Sequence, residues 1–333
     1  MALEKPTLKR RLITIPAFLL GALLVTVLFP VLLVLALVAS LWKPAHGAVP
    51  TLFFITGYLW FEAAGIIAAP IIWLRSRTPQ DAMRANFAMQ CWWASGLMRM
   101  AQRFFSLRLT LHNEAALTGG PALVLPRHAS IADTVLPVTY FARPFNTHLR
   151  YIMKRELLVD PCLDIYGNRL PNYFVDRSGQ DTDAAVDGIR QLTETLDASE
   201  GMLLYPEGTR YSPAKHEALR RKGNQNPKLV QQLNRWPDLL PPRLGGTLAM
   251  LESNPGRDLL FMAHVGFEGS SHFKNLINGS WRRAQVHLAF WRVPFAQIPT
   301  QREELMEFLF EQWDRMQSTV ARLNRLASQG TRS

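Results

Sequence analysis

From Leu12 to Trp42 the chain carries no charged side chain. That run exceeds the roughly 20 residues a spanning helix needs, so the start of the chain must meet lipid or be covered. Pro16 falls in its first turn and Pro30 near its middle, which predicts a tilt or kink. A second apolar run, Pro50–Leu74, is broken only by Glu62, and the link Lys43-Pro44-Ala45-His46-Gly47 between the two has turn chemistry. The basic start Lys9-Arg10-Arg11 suits a cleaved signal peptide, but such a core spans about 7–15 residues, and here a second apolar run follows. Two anchoring helices are the expectation. Lys5, Lys9, Arg10 and Arg11 precede the first run, Arg75, Arg77 and Arg84 follow the second, and the link holds only Lys43; the positive-inside rule places both outer ends in the cytoplasm. A hairpin lying within one leaflet is the alternative, kept open by Pro30 and Glu62. Glu62 itself reads as a protonated or interfacial carboxyl.

Charge narrows the partners. Lys and Arg total 37 against 26 Asp and Glu, a formal net charge of +11, which suits a membrane surface, a nucleic acid or a phosphorylated substrate. No nucleic-acid recognition motif accompanies the charge. Cys91 and Cys162 form no metal-ligand spacing and no disulfide framework. Between Met83 and Phe105, aromatics (Phe87, Trp92, Trp93, Phe104, Phe105) interleave with Arg84, Arg99 and Arg103, a pattern that suits a membrane interface or a packed core equally. Residues 1–78 thus read as a membrane-anchoring helical hairpin, 79–106 as an interfacial or linker helix, and 107–333 as a folded α/β domain.

Within that domain, short apolar runs alternate with polar helical stretches. Strands are predicted at Leu107–Leu111, Ala122–Leu125, Tyr173–Val175, Met202–Tyr205, Leu259–Val265 and Val286–Phe290. Helices are predicted at Ile131–Phe141, Asp181–Ser199, Gly245–Leu251 and Arg302–Leu326, and Lys215–Arg235 reads as a surface insertion or loop. His128 follows one strand directly, and Asp133 lies five residues later. On an α-helix that spacing turns through about 500°, so the pair would not share a face. His128 belongs in the strand-to-helix turn, with Asp133 folded back from the first helical turn. A carboxylate on one ring N–H fixes the tautomer and leaves the other nitrogen free as a base. A second element, Tyr205-Pro206-Glu207-Gly208-Thr209-Arg210, also follows a strand; its glycine lets a backbone approach a ligand, and its arginine offers a fork for phosphate oxygens. A third, Phe174-Val175-Asp176-Arg177-Ser178, places another arginine after a strand.

Taken together, His128-x4-Asp133, Lys154-Arg155-Glu156-Leu157, Phe174-Val175-Asp176-Arg177 and Pro206-Glu207-Gly208-Thr209-Arg210 resemble, in residues and order, the glycerolipid acyltransferases of the 1-acyl-sn-glycerol-3-phosphate acyltransferase type. The resemblance covers about Pro121–Phe267. It implies a mixed sheet with flanking helices behind the membrane anchor, with His128 activating an acceptor hydroxyl and Asp133 orienting it. It implies that Lys154, Arg177, Glu207, Gly208, Thr209 and Arg210 bind substrate, above all the acceptor's phosphate. The donor would be acyl-CoA or acyl carrier protein and the acceptor a lysophospholipid, with lysophosphatidate favoured. Membrane lipids are the other expected partners, and no cofactor, metal or covalent acyl-enzyme is expected. The implied location is the inner (cytoplasmic) membrane, with the catalytic domain on the cytoplasmic side. Arg127, where the family has Asn or a small polar residue, and Tyr205, where it has Phe, depart from the pattern. The fourth family block is matched only by Ala263-His264-Val265-Gly266-Phe267, and His264 reads as a hydrogen-bonded core residue. A serine hydrolase would need Gly-x-Ser-x-Gly, which the chain lacks; Ser130 sits in no such elbow. A binding protein that keeps the fold without turnover is the remaining rival.

Overall fold

The computed structural model describes residues 8–42, 45–175, 182–223, 226–268 and 273–330. Helix α1 (Leu8–Ala39) contains both Pro16 and Pro30, and helix α2 (Ala48–Arg75) holds the second apolar run. The two lie antiparallel: Phe29 meets Phe53 at 5.2 Å and Phe18 meets Tyr58 at 6.3 Å between ring centroids. Leu24, Val27, Val31, Val34 and Leu35 of α1 remain exposed, an apolar face with no protein partner among the described residues. Both helices are long and apolar enough to cross a membrane.

The other side of α2 is fastened to the rest of the molecule from end to end. Before its first turn, Gly47 N donates to Ile277 O at 2.8 Å, so closely that a Cβ on Gly47 would stand 2.1 Å from Leu276 O. Phe54 packs edge-on against Trp281. Glu62 is fully buried, its carboxylate accepting from Trp93 Nε1 at 2.6 Å and Cys162 N at 3.0 Å. Of the two readings, protonated or interfacial, the interfacial one fails, because Trp93 and Cys162 cover the carboxyl. Further along, Tyr166 donates to Gly65 O (2.8 Å) and Arg169 to Ala69 O (2.9 Å). Those partners sit on helix α4 (Pro161–Arg169), started by the Asp160 cap and Pro161. Its Asp164 is buried and receives both Arg10 and Arg11 from the start of α1. Helix α3 (Pro79–Phe105) lies between α2 and the sheet, burying Phe87, Ala94, Leu97, Met98 and Phe105. Its aromatics are therefore mainly core, although Trp92, stacked on Phe61, stays partly exposed.

Beyond α3 the chain forms β1 (Arg108–His112), β2 (Ala122–Pro126), β3 (His148–Lys154), β4 (Tyr173–Val175), β5 (Glu200–Leu203), β6 (Asp258–Val265) and β7 (Gln285–Val293). They make one seven-stranded sheet in the order β1-β7-β6-β2-β5-β3-β4. Every pairing is parallel except β6 with β7. Alternation along β2 divides the core: Ala122 and Val124 face α3, whereas Leu123 and Leu125 face the opposite layer. That layer consists of α5 (Thr182–Glu194), α8 (Leu244–Glu252) and α9 (Arg302–Gly330), with Trp313, Met316, Val320 and Leu323 of α9 fully buried. The mixed sheet with flanking helices behind two apolar helices is the expected architecture.

Three local expectations need correction. Ile131–Phe141 is not an α-helix but a 3-10 turn at Ile131–Thr134 followed by a π turn at Val138–Ala142. Lys215–Arg235 is not a loop: it forms α6 (Pro213–Lys222) and α7 (Pro227–Arg235), each begun by a capping side chain, Ser212 or Asn226, with proline next. Strand β3 lies in a stretch where none was expected.

Candidate active site

Strands β2, β3, β4, β5 and β6 run parallel, so their carboxyl ends share one edge of the sheet, and β2 stands where the order of connection reverses. Open α/β sheets bind ligands in such a crevice. The chain leaves β2 at Pro126 and reaches His128 two residues later. Ser130 then caps the 3-10 turn, accepting from Ala132 N, and the tight turn swings Asp133 back under the histidine. His128 Nδ1 lies 2.9 Å from Asp133 Oδ2, and that oxygen also accepts from Ala129 N (2.6 Å) and Ser130 N (2.8 Å). With Nδ1 facing an acceptor, Nδ1 carries the proton and Nε2 holds the free lone pair. The imidazole stacks on Tyr205 at 4.2 Å, and the Tyr205 hydroxyl donates to Asp133 O at 2.7 Å. Phenylalanine in that place would supply the stack without this second tie.

Burial pulls the His128 imidazole below its ordinary value, and Asp133 partly restores it. The ring is therefore unprotonated at neutral pH, as a base must be. Burial works to raise the Asp133 carboxyl, but His264 and the His128 hydrogen bond hold it well below the usual carboxylate range. His264, at the end of β6, brings Nε2 to 3.0 Å from Asp133 Oδ1, with both side chains 1% exposed. Sequence reading placed His264 in the core without this partner. The pairing of β6 beside β2, Pro126 against Met262, creates the contact, and no local pattern announces it.

Glu207 does not face the substrate space. It is 1% exposed, and its two oxygens accept from His128 N (2.6 Å) and Leu240 N (2.9 Å). The expectation of a substrate-binding carboxylate gives way to a bracket that holds the histidine's own backbone; a carboxylate beside a phosphate would in any case repel it. Arg127 is also buried, donating to His264 O (2.6 Å), Glu268 Oε1 (2.7 Å) and Asp238 O (3.1 Å). It ties β2 to the segment after β6 and offers nothing to a ligand.

The remaining residues meet at one cavity of about 940 Å³. The motif residues His128, Lys154, Gly208, Thr209 and Arg210 line it, and so do Lys215 and Arg243, which no motif singled out. Gly208 adopts φ +66°, and a Cβ there would stand 2.6 Å from Arg243 Cδ, so the arginine lies directly across the glycine. Lys215 Nζ donates to Thr209 Oγ1 and Arg210 O, both at 2.9 Å, and stiffens the turn. Among the described lining residues, Lys154, Arg210, Lys215 and Arg243 face a single carboxylate, Glu156. Arg177 lies outside the described residues. Away from the cations the wall becomes apolar, with Trp93, Ala94, Val138, Leu163 and Tyr166 reaching the layer of α2, α3 and α4. Among the described residues no three His, Cys, Asp or Glu side chains are grouped to hold a metal ion.

A His–Asp pair whose histidine lines a cavity walled by four cationic side chains and by apolar ones is an arrangement suited to general-base chemistry on an anionic, partly apolar substrate. Residues 108–231 match the family model described as Acyltransferase. Among solved structures, the 1-acyl-sn-glycerophosphate (LPA) acyltransferase PlsC from Thermotoga maritima is similar in fold, with a TM-score of 0.55 and 15% identity over 85% of this chain and 98% of that one. No curated protein matches the chain in sequence.

Proposed function

We propose that this protein transfers a fatty acyl group from a thioester donor, acyl-CoA or acyl carrier protein, to the free hydroxyl of a lysophospholipid, with lysophosphatidate the favoured acceptor. The carrying observation is the His128–Asp133 contact at 2.9 Å at the wall of the cavity. His128 Nε2 takes the proton of the acceptor hydroxyl as its oxygen attacks the thioester carbonyl. The tetrahedral intermediate collapses, the C–S bond breaks, and the proton held by His128 passes to the leaving thiolate. Asp133 holds the tautomer and stabilises the imidazolium. The reaction needs no protein nucleophile, metal or cofactor. Arg210, with Lys154 and Arg243, provides charge for the acceptor's phosphate, and the apolar wall takes an acyl chain. A phosphomonoester fits four cations against one carboxylate better than a zwitterionic headgroup does, which favours lysophosphatidate.

The same reading places the protein on the cytoplasmic face of the inner membrane, following the basic flanks of the two apolar runs. The test is acyl transfer by detergent-purified protein from labelled acyl-CoA to a panel of lysophospholipids, beside His128→Ala. Transfer to lysophosphatidate that disappears in the variant, by about 10²-fold or more, is the expected result. A variant with near-normal turnover removes His128 from the chemistry. Transfer to a different lysophospholipid keeps the mechanism and changes the acceptor.

A further inference from the structure

Asp133 is held from both sides. Oδ2 meets His128 Nδ1 and two backbone N–H groups, and Oδ1 meets His264 Nε2 at 3.0 Å. The hydrogen bond of His264 Nε2 goes to Arg127 O, at 3.3 Å, so its approach to Asp133 Oδ1 is a close electrostatic contact rather than an aligned hydrogen bond. A carboxylate and a carbonyl both accept, so Nε2 is a protonated, donating nitrogen of that ring. His264 Nδ1 is buried and has no hydrogen-bond partner among the described residues. The ring is held in place through its own backbone: Arg127 donates to His264 O at 2.6 Å, and Arg127 N to Met262 O at 2.9 Å. A buried polar ring costs stability unless its contacts repay it, yet here it is spent on one oxygen of the carboxylate that orients the base.

Resting on the acyl-transfer reading above, we propose that His264 is a positioning residue for the reaction: its Nε2, 3.0 Å from the second oxygen of Asp133, holds that carboxylate by electrostatic contact and thereby aims the His128 imidazole at the acceptor hydroxyl. It touches no substrate, since it is 1% exposed and does not line the cavity. It lies beyond residues 108–231, outside the segment matched to the family.

A positive N–H dipole 3.0 Å from Oδ1 also draws on the charge of the carboxylate and so weakens its support for a protonated His128. The titratable and charged groups around His128 are Asp133, Arg210, His264, the stacked Tyr205 and Glu207, which accepts from its backbone N–H. Those around His264 are Asp133, Arg127 and Glu268. His264 is among the groups that lower His128, so its removal moves His128 toward higher pH.

Three variants test this. His264→Leu removes the donor and keeps the bulk. His264→Gln keeps an amide N–H near the position of Nε2. His264→Asn keeps polarity but falls short of Oδ1. The expected result is a loss of kcat of at least about tenfold in Leu and Asn, with KM for donor and acceptor unchanged, and substantial recovery in Gln. The acid limb of the pH profile moves to higher pH in Leu and stays in place in Gln. Should Leu fail to accumulate, the contrast between Gln and Asn decides. Near-normal turnover in all three variants overturns the proposal. So does an equal loss in all three with an unmoved acid limb, which would leave His264 a packing residue. Titration of the His128 ring by ¹H–¹⁵N NMR reads the same coupling without substrate. A wild type that transfers no acyl group would sink the functional reading, while an unchanged His128 titration in the variants would sink this one.

Discussion

At the scale of single residues, the site is built from groups that hold other groups. Glu207 illustrates this: a family motif advertises it as a ligand contact, but both its oxygens are occupied by backbone N–H. Burial pushes its carboxyl up to about 7, against the pull of those two hydrogen bonds. The folded protein therefore retains a proton that the unfolded chain releases at the ordinary glutamate value. The wild type's stability from this group is present at low pH and falls as pH rises toward about 7. Glu207→Gln leaves one of the two N–H groups facing an amide, at a cost of about 1–3 kcal/mol. It should lower turnover with little change in acceptor KM. The difference in melting temperature between wild type and variant should change with pH between the ordinary glutamate value and about 7, and be flat above. A variant that mainly raises acceptor KM would return Glu207 to the ligand.

His128, Asp133, Gly208, Thr209 and Arg210 were legible in the chain because each lies within a few residues of its strand end, where local spacing dictates geometry. Lys215 and Arg243 were not, because their places follow from α6 and from the chain crossing back over Gly208. His264 was seen but not its partner, since the contact exists only once β6 lies beside β2.

Among elements, α4 is inconspicuous in sequence yet ties several parts of the molecule together. It is nine residues long, yet it meets α1 through Asp164, and α2 through Cys162, Tyr166 and Arg169. Cys162, Leu163, Tyr166 and Gly167 also line the cavity, so the same short helix joins the anchor to the substrate wall. Asp164 is wholly buried beneath Arg10 and Arg11, which remain about a quarter exposed. Asp164→Ala leaves two guanidiniums without their carboxylate, a loss of roughly 3 kcal/mol for a buried pair and less here because the arginines keep some solvent. The start of α1 should then lift from α4. Trypsin cleavage after Arg10 and Arg11 in detergent should accelerate at least about tenfold while the remainder of the chain stays intact. Unchanged cleavage would mean that apolar packing alone holds α1. Helix α4 was missed in sequence because its nine residues show no helical repeat of apolar positions; the Asp160–Pro161 start was its one local signal.

For the molecule as a whole, the length of α2 decides how it meets a bilayer. At 1.5 Å per residue its 28 residues cover about 42 Å. The α/β domain holds it from Gly47, against Ile277, as far as Ala69, against Arg169. A helix crossing the bilayer in that state would carry the charged domain in with it. The arrangement this predicts has the apolar outer face of α1 and α2 along one leaflet, the alternative that Pro30 and Glu62 left open in the sequence. Sealed vesicles with single-cysteine variants test this, since the native Cys91 and Cys162 are both buried. Trp42→Cys and Arg77→Cys sit at opposite ends of α2. Both should react with an impermeant thiol reagent, or both be protected, according to vesicle orientation. Labelling of one alone would establish a spanning hairpin.

The sheet order bears on how the chain is made. Strand β1 pairs with β7 alone, and Arg108 faces Gln285, 285 − 108 = 177 residues downstream. At a ribosome's pace of about 5–20 residues per second, β1 waits on the order of 10–35 seconds for its partner. By then α1 and α2 have long since emerged and can already be lying in lipid. The order of synthesis thus lets the apolar helices find a surface before the finished sheet sets His264 against Asp133, so a nascent chain can be seated before it is able to work.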